Sequence, residues 1–468
     1  MAGTYLTELS LTEASGLIAT GKVSPLDLTQ ACIDRAEALE PRLTTYITRT
    51  FETALAEATV ATADIAAGRR RGPLHGIPFA IKDLYETAGV RTTAGSPTRD
   101  DFVPVEDAHT IALLKQAGVV MLGKLTLHEW AMGGTNVQQW YATPKNPWDV
   151  TRITGGSSGG SGAAVAAGLC LGSLGTDTRG SIRIPASLCG ITGLKPTYGR
   201  VSIRGIIPLS WSLDHSGPMA RTVSDCALIL NAIAGYDPRD PTSADVPAPD
   251  FAAFTELGDL KGLTIGVPRN FFFDKDVVEP ETLAAVLASR DVLAGLGAEI
   301  REVEFPGSLE FNAASALGAE SAAYHEANLA AHPEKYSEPI LNRLTASQST
   351  LGMAYVRERW AQLEMQQAVR ELMRDVDLIL TPTSPIVAPT IESTKASLPG
   401  TGPTVLGRHT SPFNITGQPT ISVPCGFSGD GLPIGLQLSG RWWQEGTVIR
   451  AAHAYQAATD WHTRRPPL

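Results

Sequence analysis

The chain has 468 residues, of which 43% are hydrophobic and 18% charged, a composition typical of a folded globular protein with ample core material. Its formal net charge of −10 argues against nucleic-acid binding, because a protein that binds phosphates needs a basic surface. We therefore expect a soluble enzyme whose partner is a small molecule.

Cysteine usage and the apolar segments predict a cytoplasmic protein. The five cysteines are far apart and form no C-x-x-C pair, so we expect reduced thiols and neither a disulfide framework nor a metal site. The N-terminus has no basic segment followed by an apolar one, so no secretory signal is expected. The longest apolar stretch, residues 163–175, is too short to cross a bilayer, so we predict no membrane contact.

Helical and strand patterns alternate along the first two thirds of the chain. Residues 11–39 show helical spacing with a break at Gly21, and Ser24 is the predicted N-cap of a second helix that extends to Glu40. The further predicted elements are a strand at 76–84, a helix at 107–118, a strand at 119–123, a helix at 159–169, a strand within 189–196, a helix at 221–235, a strand at 263–267, a helix at 282–296 and a strand at 299–305. This alternation predicts an α/β sandwich with a largely central sheet.

The rest of the chain is predicted in less detail. Residues 236–250 resemble a surface linker, residues 309–375 are mostly helical, and residues 393–407 form a flexible loop. Strand patterns return at 377–380 and 420–424. We predict one domain, 1–468, composed of a helical N-terminal segment (1–70), a catalytic core (71–230), a variable, mostly helical region that forms the substrate pocket (236–375) and a C-terminal part that returns to the sheet (376–468).

Lys82 lies among apolar side chains inside the predicted strand at 76–84. Burial disfavours the ammonium form and lowers the pKa of a lysine, so Lys82 could act as a neutral base. A lysine that reaches solvent at the end of the strand, or that pairs with Asp83, would explain the same segment.

Residues 155–162 have the sequence GGSSGGSG and directly precede apolar helical sequence. They concentrate backbone N–H groups and hydroxyls at a helix N-terminus, where developing negative charge is stabilised. A flexible linker has a similar composition, but the apolar helical sequence that follows argues against one.

Residues 175–185 have the sequence GTDTRGSIRIP, which ends a glycine-containing turn at Ser181. The glycines permit a tight turn whose successive N–H groups point at one spot, as an oxyanion hole requires, with Ser181 as the nucleophile. A structural turn capped by an aspartate or threonine would explain the segment equally well.

Together the three segments resemble the amidase signature family. The resemblance is carried by GGSSGGSG at 155–162 and GTDTRGSIRIPASLCGITGLKPTYGRVS at 175–202, with a spacing of 24 residues from Ser157 to Ser181. It extends over nearly the whole chain through GIPFAIKD at 76–83, KNPWD at 145–149, SLD at 212–214, LTPTSP at 380–385 and QPTISVPCGF at 418–427, and it is weakest at 236–375. The resemblance implies a three-layer α/β sandwich in which helices cover both faces of a central mixed β-sheet.

The resemblance also implies a mechanism, the hydrolysis of amide C–N bonds through an acyl-enzyme. In it Ser181 attacks the carbonyl carbon, and Ser157, which follows a cis peptide bond, relays the proton. Lys82 accepts the proton and later returns it to the leaving amine, and water then hydrolyses the acyl-enzyme. The relay meets a chemical need, because a serine hydroxyl is a weak nucleophile without an adjacent base.

Further roles follow from the same resemblance. The backbone N–H groups of the nucleophile turn would form the oxyanion hole, a neighbouring loop would line the substrate cavity, and other side chains would brace the two serine loops. The residues concerned are Thr178, Arg179, Gly180 and Ser181 for the oxyanion hole, Ala131, Met132 and Gly133 for the cavity, and Ser158 with the expected pair Asp177 and Arg183 for support. No metal or organic cofactor is implied.

Arg179 departs from the family pattern, which usually has glycine at this position. If residue 179 requires a positive φ, arginine carries a steric cost there that glycine avoids. Its side chain either lines the pocket and meets a carbonyl or carboxylate of the substrate, or is structural, facing solvent or paired with an acid.

Two other functions are less consistent with this sequence. An amidotransferase-type subunit that releases ammonia for a partner usually has an aspartate-containing segment where this chain has residues 127–130 (LHEW), so we expect a free-standing hydrolase. His128 could act as a base there, but a hydrogen-bonded structural histidine is favoured. A non-catalytic binding member of the fold is disfavoured because Lys82, Ser157 and Ser181 are all present.

Two other motifs are incomplete. The G-x-S-x-G pattern at 155–159 matches an α/β-hydrolase nucleophile elbow, with His409 or His453 as the histidine, but the preceding residues 149–153 are poor strand-forming sequence. Residues 118–124 (GVVMLGK) approach a phosphate-binding loop, but Leu125 occupies the position of the hydroxyl residue, so Lys124 is interpreted as a strand-end residue.

The sequence leaves the substrate open. We expect residues 309–375 and 393–413 to build much of the pocket. Aromatic residues in or near it favour apolar or aryl groups, although core packing explains each of them singly: Trp130, Trp140, Tyr141, Trp211, Phe413, Trp442 and Trp443. Because esters and carbamates present the same carbonyl, aryl, fatty and small amides and urethanes are all candidates. A homodimer is the expected assembly.

Overall fold

The computed structural model describes residues 6–306, 313–397 and 404–468. The strands of these residues are β1 (Tyr46–Arg49), β2 (Pro78–Lys82), β3 (Val120–Leu125), β4 (Lys145–Asn146), β5 (Asp149–Ile153), β6 (Gly172–Asp177), β7 (Thr192–Lys195), β8 (His215–Ala220), β9 (Thr264–Pro268), β10 (Glu299–Val303), β11 (Leu378–Pro382), β12 (Thr420–Phe427) and β13 (Pro433–Gly440). All but β4 and β5 belong to one sheet of 11 strands.

The helices of the described residues flank this sheet, and the predicted three-layer α/β fold is confirmed. They are α1 (Leu11–Ala19), α2 (Pro25–Leu43), α3 (Phe51–Ala66), α4 (His109–Ala117), α5 (Gly159–Ala167), α6 (Arg183–Cys189), α7 (Val223–Ile233), α8 (Pro280–Gly295), α9 (Ala314–Ala331), α10 (Glu338–Ser347), α11 (Gly352–Leu372), α12 (Ile391–Ser397), α13 (Ser411–Thr416) and α14 (Glu445–Ala457). No helix among them has the length and apolar character that crossing a membrane requires.

The sheet is mixed, with the strand order β1-β3-β2-β6-β8-β7-β12-β13-β11-β9-β10. β2 is parallel to β3 and β6, and β9 is parallel to β10 and β11, whereas the intervening pairs are antiparallel. β2 and β6 are buried along their whole lengths, as expected for strands covered on both faces. The ends of β2 and β6, which carry Lys82 and Asp177, therefore lie side by side in the interior.

Local sequence explains several helix boundaries. The Ser24 hydroxyl accepts a hydrogen bond from the backbone N–H of Asp27 at 3.0 Å, and Pro25 occupies the first turn of α2, as predicted. α4 ends at Gly118, which adopts a left-handed conformation with φ 86°, so its predicted role as a helix end is confirmed.

Two expectations differ from the structure. Residues 149–153 do form a strand, β5, which pairs with β4 in a separate two-stranded ribbon outside the central sheet. In the predicted loop at 393–407, α12 reaches Ser397 and a short 3₁₀ helix covers Thr404–Gly407, while residues 398–403 lie outside the described residues. The strands predicted at 263–267 and 299–305 are present as β9 and β10, at one edge of the sheet. In the predicted helical segment 309–375, residues 309–312 lie outside the described part.

A second apolar core lies between the sheet and the helices α9 to α11. It contains Trp130, Leu317, Leu344 and Phe413, and it is separate from the main core around the sheet. Because this core includes Trp130, it fixes the loop beside the candidate site to the helical region.

Candidate active site

Lys82 ends β2 and is completely buried. Its Nζ donates 2.7 Å hydrogen bonds to Oγ of Ser157 and to Oγ1 of Thr176, and it forms no ion pair with an acid within the described chain. Burial lowers the pKa of Lys82 from 10.5 to about 7, although Asp214 and Asp177 partly oppose this shift. The amine is therefore available in its neutral form near neutral pH.

Asp83 is not the partner of Lys82, because it pairs with the neighbouring buried lysine. Nζ of Lys124 lies 3.0 Å from Oδ1 of Asp83 and donates 2.7 Å hydrogen bonds to the carbonyl oxygen of Tyr85 and to Oγ1 of Thr92. Lys124 is the penultimate residue of β3, as its interpretation as a strand-end residue expects, and it is 1% exposed. The two lysines on neighbouring strands thus differ in partner, one facing hydroxyls and the other a carboxylate.

The glycine-serine loop holds Ser157 against Lys82. The peptide bond between Gly156 and Ser157 is cis. The Ser158 hydroxyl donates to the carbonyl oxygen of Thr176 at 3.3 Å, and the Ser158 N–H donates to the carbonyl oxygen of Ser181 at 3.3 Å. A side chain at Gly160 would collide with the backbone of Thr126. The loop is a buried, closely packed element rather than a flexible linker.

Asp177, at the end of β6, organises the nucleophile turn. Its carboxylate accepts hydrogen bonds from the backbone N–H groups of Gly180 (2.7 Å) and Ile182 (3.2 Å), and Nε of Arg183 lies 3.0 Å away. Burial opposes ionisation of this carboxyl, but the charge and hydrogen bonds of Arg183 hold its pKa well below its ordinary value. The pair expected from the sequence is therefore present and ionised.

Arg183 has partners beyond Asp177. Its Nη1 donates to Oε1 of Gln437 at 3.0 Å, and its Nη2 donates to Oδ1 of Asn414 at 2.7 Å. Nδ2 of Asn414 in turn donates a 2.8 Å hydrogen bond to Oδ1 of Asp177. This closed network connects the turn to β13 and α13.

The backbone of the turn corrects two expectations. The N–H of Gly180, expected in the oxyanion hole, is occupied by Asp177, whereas those of Thr178, Arg179 and Ser181 have no acceptor in the described part of the chain. The positive φ lies at Gly180 (125°) and not at Arg179, so arginine carries no backbone strain. A side chain at Gly180 would collide with Oγ1 of Thr410, which explains glycine there.

Two functional candidates escaped sequence reasoning although they lie in the family motifs. Thr176 is the second hydrogen-bond partner of Lys82. Asp214 accepts a 2.5 Å hydrogen bond from the Thr178 hydroxyl and two from the N–H groups of Leu209 and Ser210. Burial raises the pKa of Asp214 to about 6 against the opposing effect of these hydrogen bonds. Only the position of Asp214 in the SLD motif indicated its importance.

Ser181 lies on the wall of a cavity of about 220 Å³. The other residues around this cavity come from six parts of the chain: Ala131, Met132, Gly133, Gly134, Thr178, Arg179, Ile184, Leu209, Leu317, Arg343, Leu406 and Gly407. The predicted lining residues Ala131 to Gly133 are included, and residues 309–375 contribute Leu317 and Arg343. A larger cavity of about 500 Å³ touches this network only through Asn414 and contains no catalytic candidate, so the smaller cavity is the candidate substrate site.

The aromatic residues singled out in the sequence do not line this cavity. Trp130 has a left-handed backbone (φ 53°) and is buried against His325 and Tyr336, with ring centroids 4.5 and 6.1 Å away. The packing of Trp130 holds Ala131, which is also left-handed (φ 59°), at the cavity wall. The apolar part of the wall is aliphatic.

Arg179 faces the cavity without an acidic partner. Its Nε donates to Oγ of Ser411 at 3.1 Å, and no ion pair joins it to an acid among the described residues. The expectation of a structural arginine paired with an acid is therefore not met. Arg343, which sequence reasoning missed, lines the same cavity and donates to the carbonyl oxygen of Met132 at 3.1 Å.

The histidines do not form a Ser-His-Asp triad. Nδ1 of His128 accepts a 3.2 Å hydrogen bond from the N–H of Asn136, and burial lowers the pKa of His128 to about 4, consistent with a structural role. His409 lies against Phe272, and His453 contacts Ser224 at 3.2 Å. In the described ranges, none of these three rings hydrogen-bonds to Ser157 or Ser181. Likewise, no group of three or more His, Cys, Asp or Glu residues there could hold a metal ion.

The chain is similar to known proteins over nearly its whole length. The model of the family described as Amidase matches residues 27–449. The chain is 42% identical to the A subunit of the glutamyl-tRNA(Gln) amidotransferase of Roseiflexus sp. (strain RS-1), over 99% of each chain. Among solved structures, the native peptide amidase of Stenotrophomonas maltophilia is 32% identical with a TM-score of 0.84, over 98% of both chains. The A subunit of the Thermotoga maritima amidotransferase is 32% identical with a TM-score of 0.79, over 96% of this chain and 95% of that one.

Proposed function

Because this chain belongs to the amidase family, we propose that it is a free-standing hydrolase that cleaves the C–N bond of amides through an acyl-enzyme on Ser181. One observation carries the proposal. A buried lysine amine, whose pKa of about 7 leaves much of it neutral, donates 2.7 Å to the hydroxyl of Ser157. A serine hydroxyl is a weak nucleophile and needs an adjacent base. A neutral lysine amine that contacts Ser157, with Ser181 nearby on the cavity wall, can supply that base.

In the proposed reaction these groups act in order. Ser181 attacks the substrate carbonyl carbon, its proton passes through Ser157 to Nζ of Lys82, and the lysine returns a proton to the leaving amine. The 3.3 Å hydrogen bond from the Ser158 N–H to the Ser181 carbonyl keeps the two serine loops adjacent. Catalytic hydrogen bonds often shorten only in the substrate complex, which would bring the two hydroxyls together.

The developing oxyanion has three backbone donors in this scheme. The N–H groups of Thr178, Arg179 and Ser181 are not engaged by other described residues, whereas that of Gly180 holds Asp177. Thr178 is itself fixed by Asp214. Preorganised donors of this kind act strongly because no reorganisation is needed during the reaction.

The same machinery would accept esters and carbamates, since both present a carbonyl carbon to Ser181. We place the enzyme in the cytoplasm, supported by five cysteines that are all free and buried. A homodimer is the proposed assembly.

Hydrolysis of a substrate panel tests the proposal. The panel contains an aryl acylamide, a primary amide, a p-nitrophenyl ester and an aryl carbamate. Ser181→Ala should abolish turnover, and Lys82→Ala should reduce it strongly, whereas Ser349→Ala, at an exposed serine, is the matched control. Full activity in Ser181→Ala would refute the assignment of the nucleophile.

A second candidate function is the release of ammonia within a larger assembly, favoured by the similarity to the A subunit of the amidotransferase over nearly the whole chain. In this role the chain would release ammonia from glutamine for partner subunits. Purification of the tagged chain from its own cells, followed by mass measurement and a glutamine assay, separates the two functions. An isolated chain or homodimer active on simple amides supports the hydrolase, whereas glutamine turnover only within a hetero-complex supports the ammonia-releasing role.

A further inference from the structure

The outer face of α11 carries a row of exposed apolar side chains. Met353, Val356, Trp360 and Leu363 are 55% to 65% exposed, and Trp360 is the most exposed of the eight tryptophans. Their spacing of three and four residues places them along one side of the helix. Together they present roughly 500 Å² of apolar surface, in the range of the largest patches on monomeric proteins, which are often interaction sites.

The opposite side of α11 is packed on the protein, so the apolar row is not a core face that has turned outward. Gln362 and Val369 are buried, and Nε2 of Gln362 donates a 2.9 Å hydrogen bond to the carbonyl oxygen of Ile415. Oε2 of Glu358 accepts a 2.7 Å hydrogen bond from the N–H of Ala316 on α9. The helix is therefore held by its inner side, and its outer side is left for a partner.

The charges on α11 fit a second copy of the chain. The chain has a net charge of −10, so two copies repel each other in most orientations. By contrast, α11 has three arginines and three glutamates and so no net charge. The exposed Arg357 and Glu364 flank the apolar row on the same side, and neither forms an ion pair with another described residue. They lie about 10 Å apart along the helix, too far to pair with each other.

An antiparallel pairing of two α11 helices satisfies both the apolar row and these charges. A two-fold axis beside Trp360 brings the Trp360 side chains of the two copies together and sets Val356 opposite the partner's Leu363. The same axis sets Arg357 opposite the partner's Glu364, and it does so twice because the contact is symmetric. Two such faces would bury roughly 1,000 Å² of apolar surface, and the charged flanks would extend the contact to about the 1,200 Å² of a small specific interface.

We propose that two copies of this chain associate through the outer faces of α11, paired antiparallel around Trp360. This inference specifies the contact of the proposed homodimer. It does not depend on hydrolysis at Ser181, because neither the apolar row nor its flanking charges line the candidate substrate cavity. A small interface with one central tryptophan should have a Kd of about 1 to 10 μM.

Sedimentation velocity of the full-length chain measures this association. Across a concentration range of about 1 to 100 μM, the wild type should shift from the mass of one chain to that of two. Trp360→Glu places a charge at the centre of the contact and should raise the Kd about 30-fold or more, as replacement of a central anchor does. Val105→Glu, at a 94% exposed valine outside the row, is the matched control and should keep the wild-type Kd. Circular dichroism during thermal unfolding checks that both variants fold.

A charge exchange tests the antiparallel arrangement. Arg357→Glu and Glu364→Arg each set like charges opposite each other at two symmetric positions, so each should weaken association about tenfold. The double variant Arg357→Glu/Glu364→Arg should regain nearly the wild-type Kd. Because the two positions are too far apart to pair within one helix, such a recovery has to come from contact between copies. Ser181→Ala should keep the wild-type Kd, which separates this inference from the proposed hydrolysis.

Each outcome decides for or against this contact. A wild type that stays monomeric over the whole concentration range would overturn it. A dimer that survives Trp360→Glu, or that Val105→Glu dissociates, would place the contact elsewhere and also overturn it. Dissociation by Trp360→Glu without recovery in the double variant would overturn the antiparallel pairing. A monomeric wild type that sediments with phosphatidylcholine vesicles, and loses this property in Trp360→Glu, would assign the apolar row to a lipid surface instead.

Discussion

The activity of the enzyme should depend on pH through the ionisation of Lys82. Burial lowers the pKa of this amine from 10.5 to about 7. The neutral fraction is then about a tenth at pH 6, a half at pH 7 and nine-tenths at pH 8. We therefore expect kcat/KM to rise about tenfold from pH 6 to pH 8 and then level off. With an ordinary pKa, only about 3 in 10,000 molecules would have the neutral base at pH 7, so burial increases the competent fraction about 1,000-fold.

The assay is the release of an arylamine from an aryl acylamide, because this substrate does not titrate between pH 5.5 and 9.5. Lys82→Arg retains a positive charge and donors but cannot deprotonate, so it should lose about 100- to 10,000-fold in kcat/KM. Lys115→Arg is the matched control, since that lysine is partly exposed and pairs with Asp107 at 2.8 Å. It should keep both the rate and the pH profile.

Two results would refute this reasoning. A rate that continues to rise tenfold per pH unit beyond pH 8 would mean that the amine keeps its ordinary pKa. A profile that is retained in Lys82→Arg would mean that another group is the base.

Three further substitutions test the surroundings of the relay. Asp214→Asn removes a charge that raises the pKa of Lys82, so the midpoint of the pH–rate profile should move to lower pH, and an upward shift would contradict the assignment. Between about pH 7 and 10.5 the unfolded chain binds more protons at Lys82 than the folded chain does. As the pH rises through this range, the free energy of unfolding of the wild type should therefore increase relative to that of Lys82→Met by about 1.4 kcal/mol per pH unit. Denaturant unfolding at pH 7.5 and 9.5 measures this, and a constant difference would disprove it. Lys124→Met leaves Asp83 buried without its partner, so it should lower the free energy of unfolding by about 3–5 kcal/mol. The folded fraction of this variant should keep the wild-type midpoint of the pH–rate profile.

Local sequence predicts some elements of the fold and not others, for reasons of composition. The apolar, glycine-bounded segment at 76–84 identifies β2, and capping by Ser24 identifies α2. The central strands β6 and β8 were not predicted, because their sequences GSLGTD and HSGPMA are rich in residues with low strand propensity. Burial on both faces of the sheet, and not local preference, makes them strands.

The sequence by itself determined the family to which this protein belongs. The spacing of Lys82, Ser157 and Ser181 and the glycines around them identify the family, and a lysine in an apolar strand already predicts a lowered pKa. Arg179 stands out in the same motif because the family usually has glycine at this position.

Only the tertiary structure decided which groups meet. It places Thr176 beside Lys82 across adjacent strands, and it assigns Asp83 to Lys124. It also brings Arg343 from a helix more than 160 positions further along the chain to the cavity of Arg179. These contacts depend on strand order and on how helices pack against the sheet. No local pattern encodes them, because each joins residues whose separation in sequence says nothing about their distance in space.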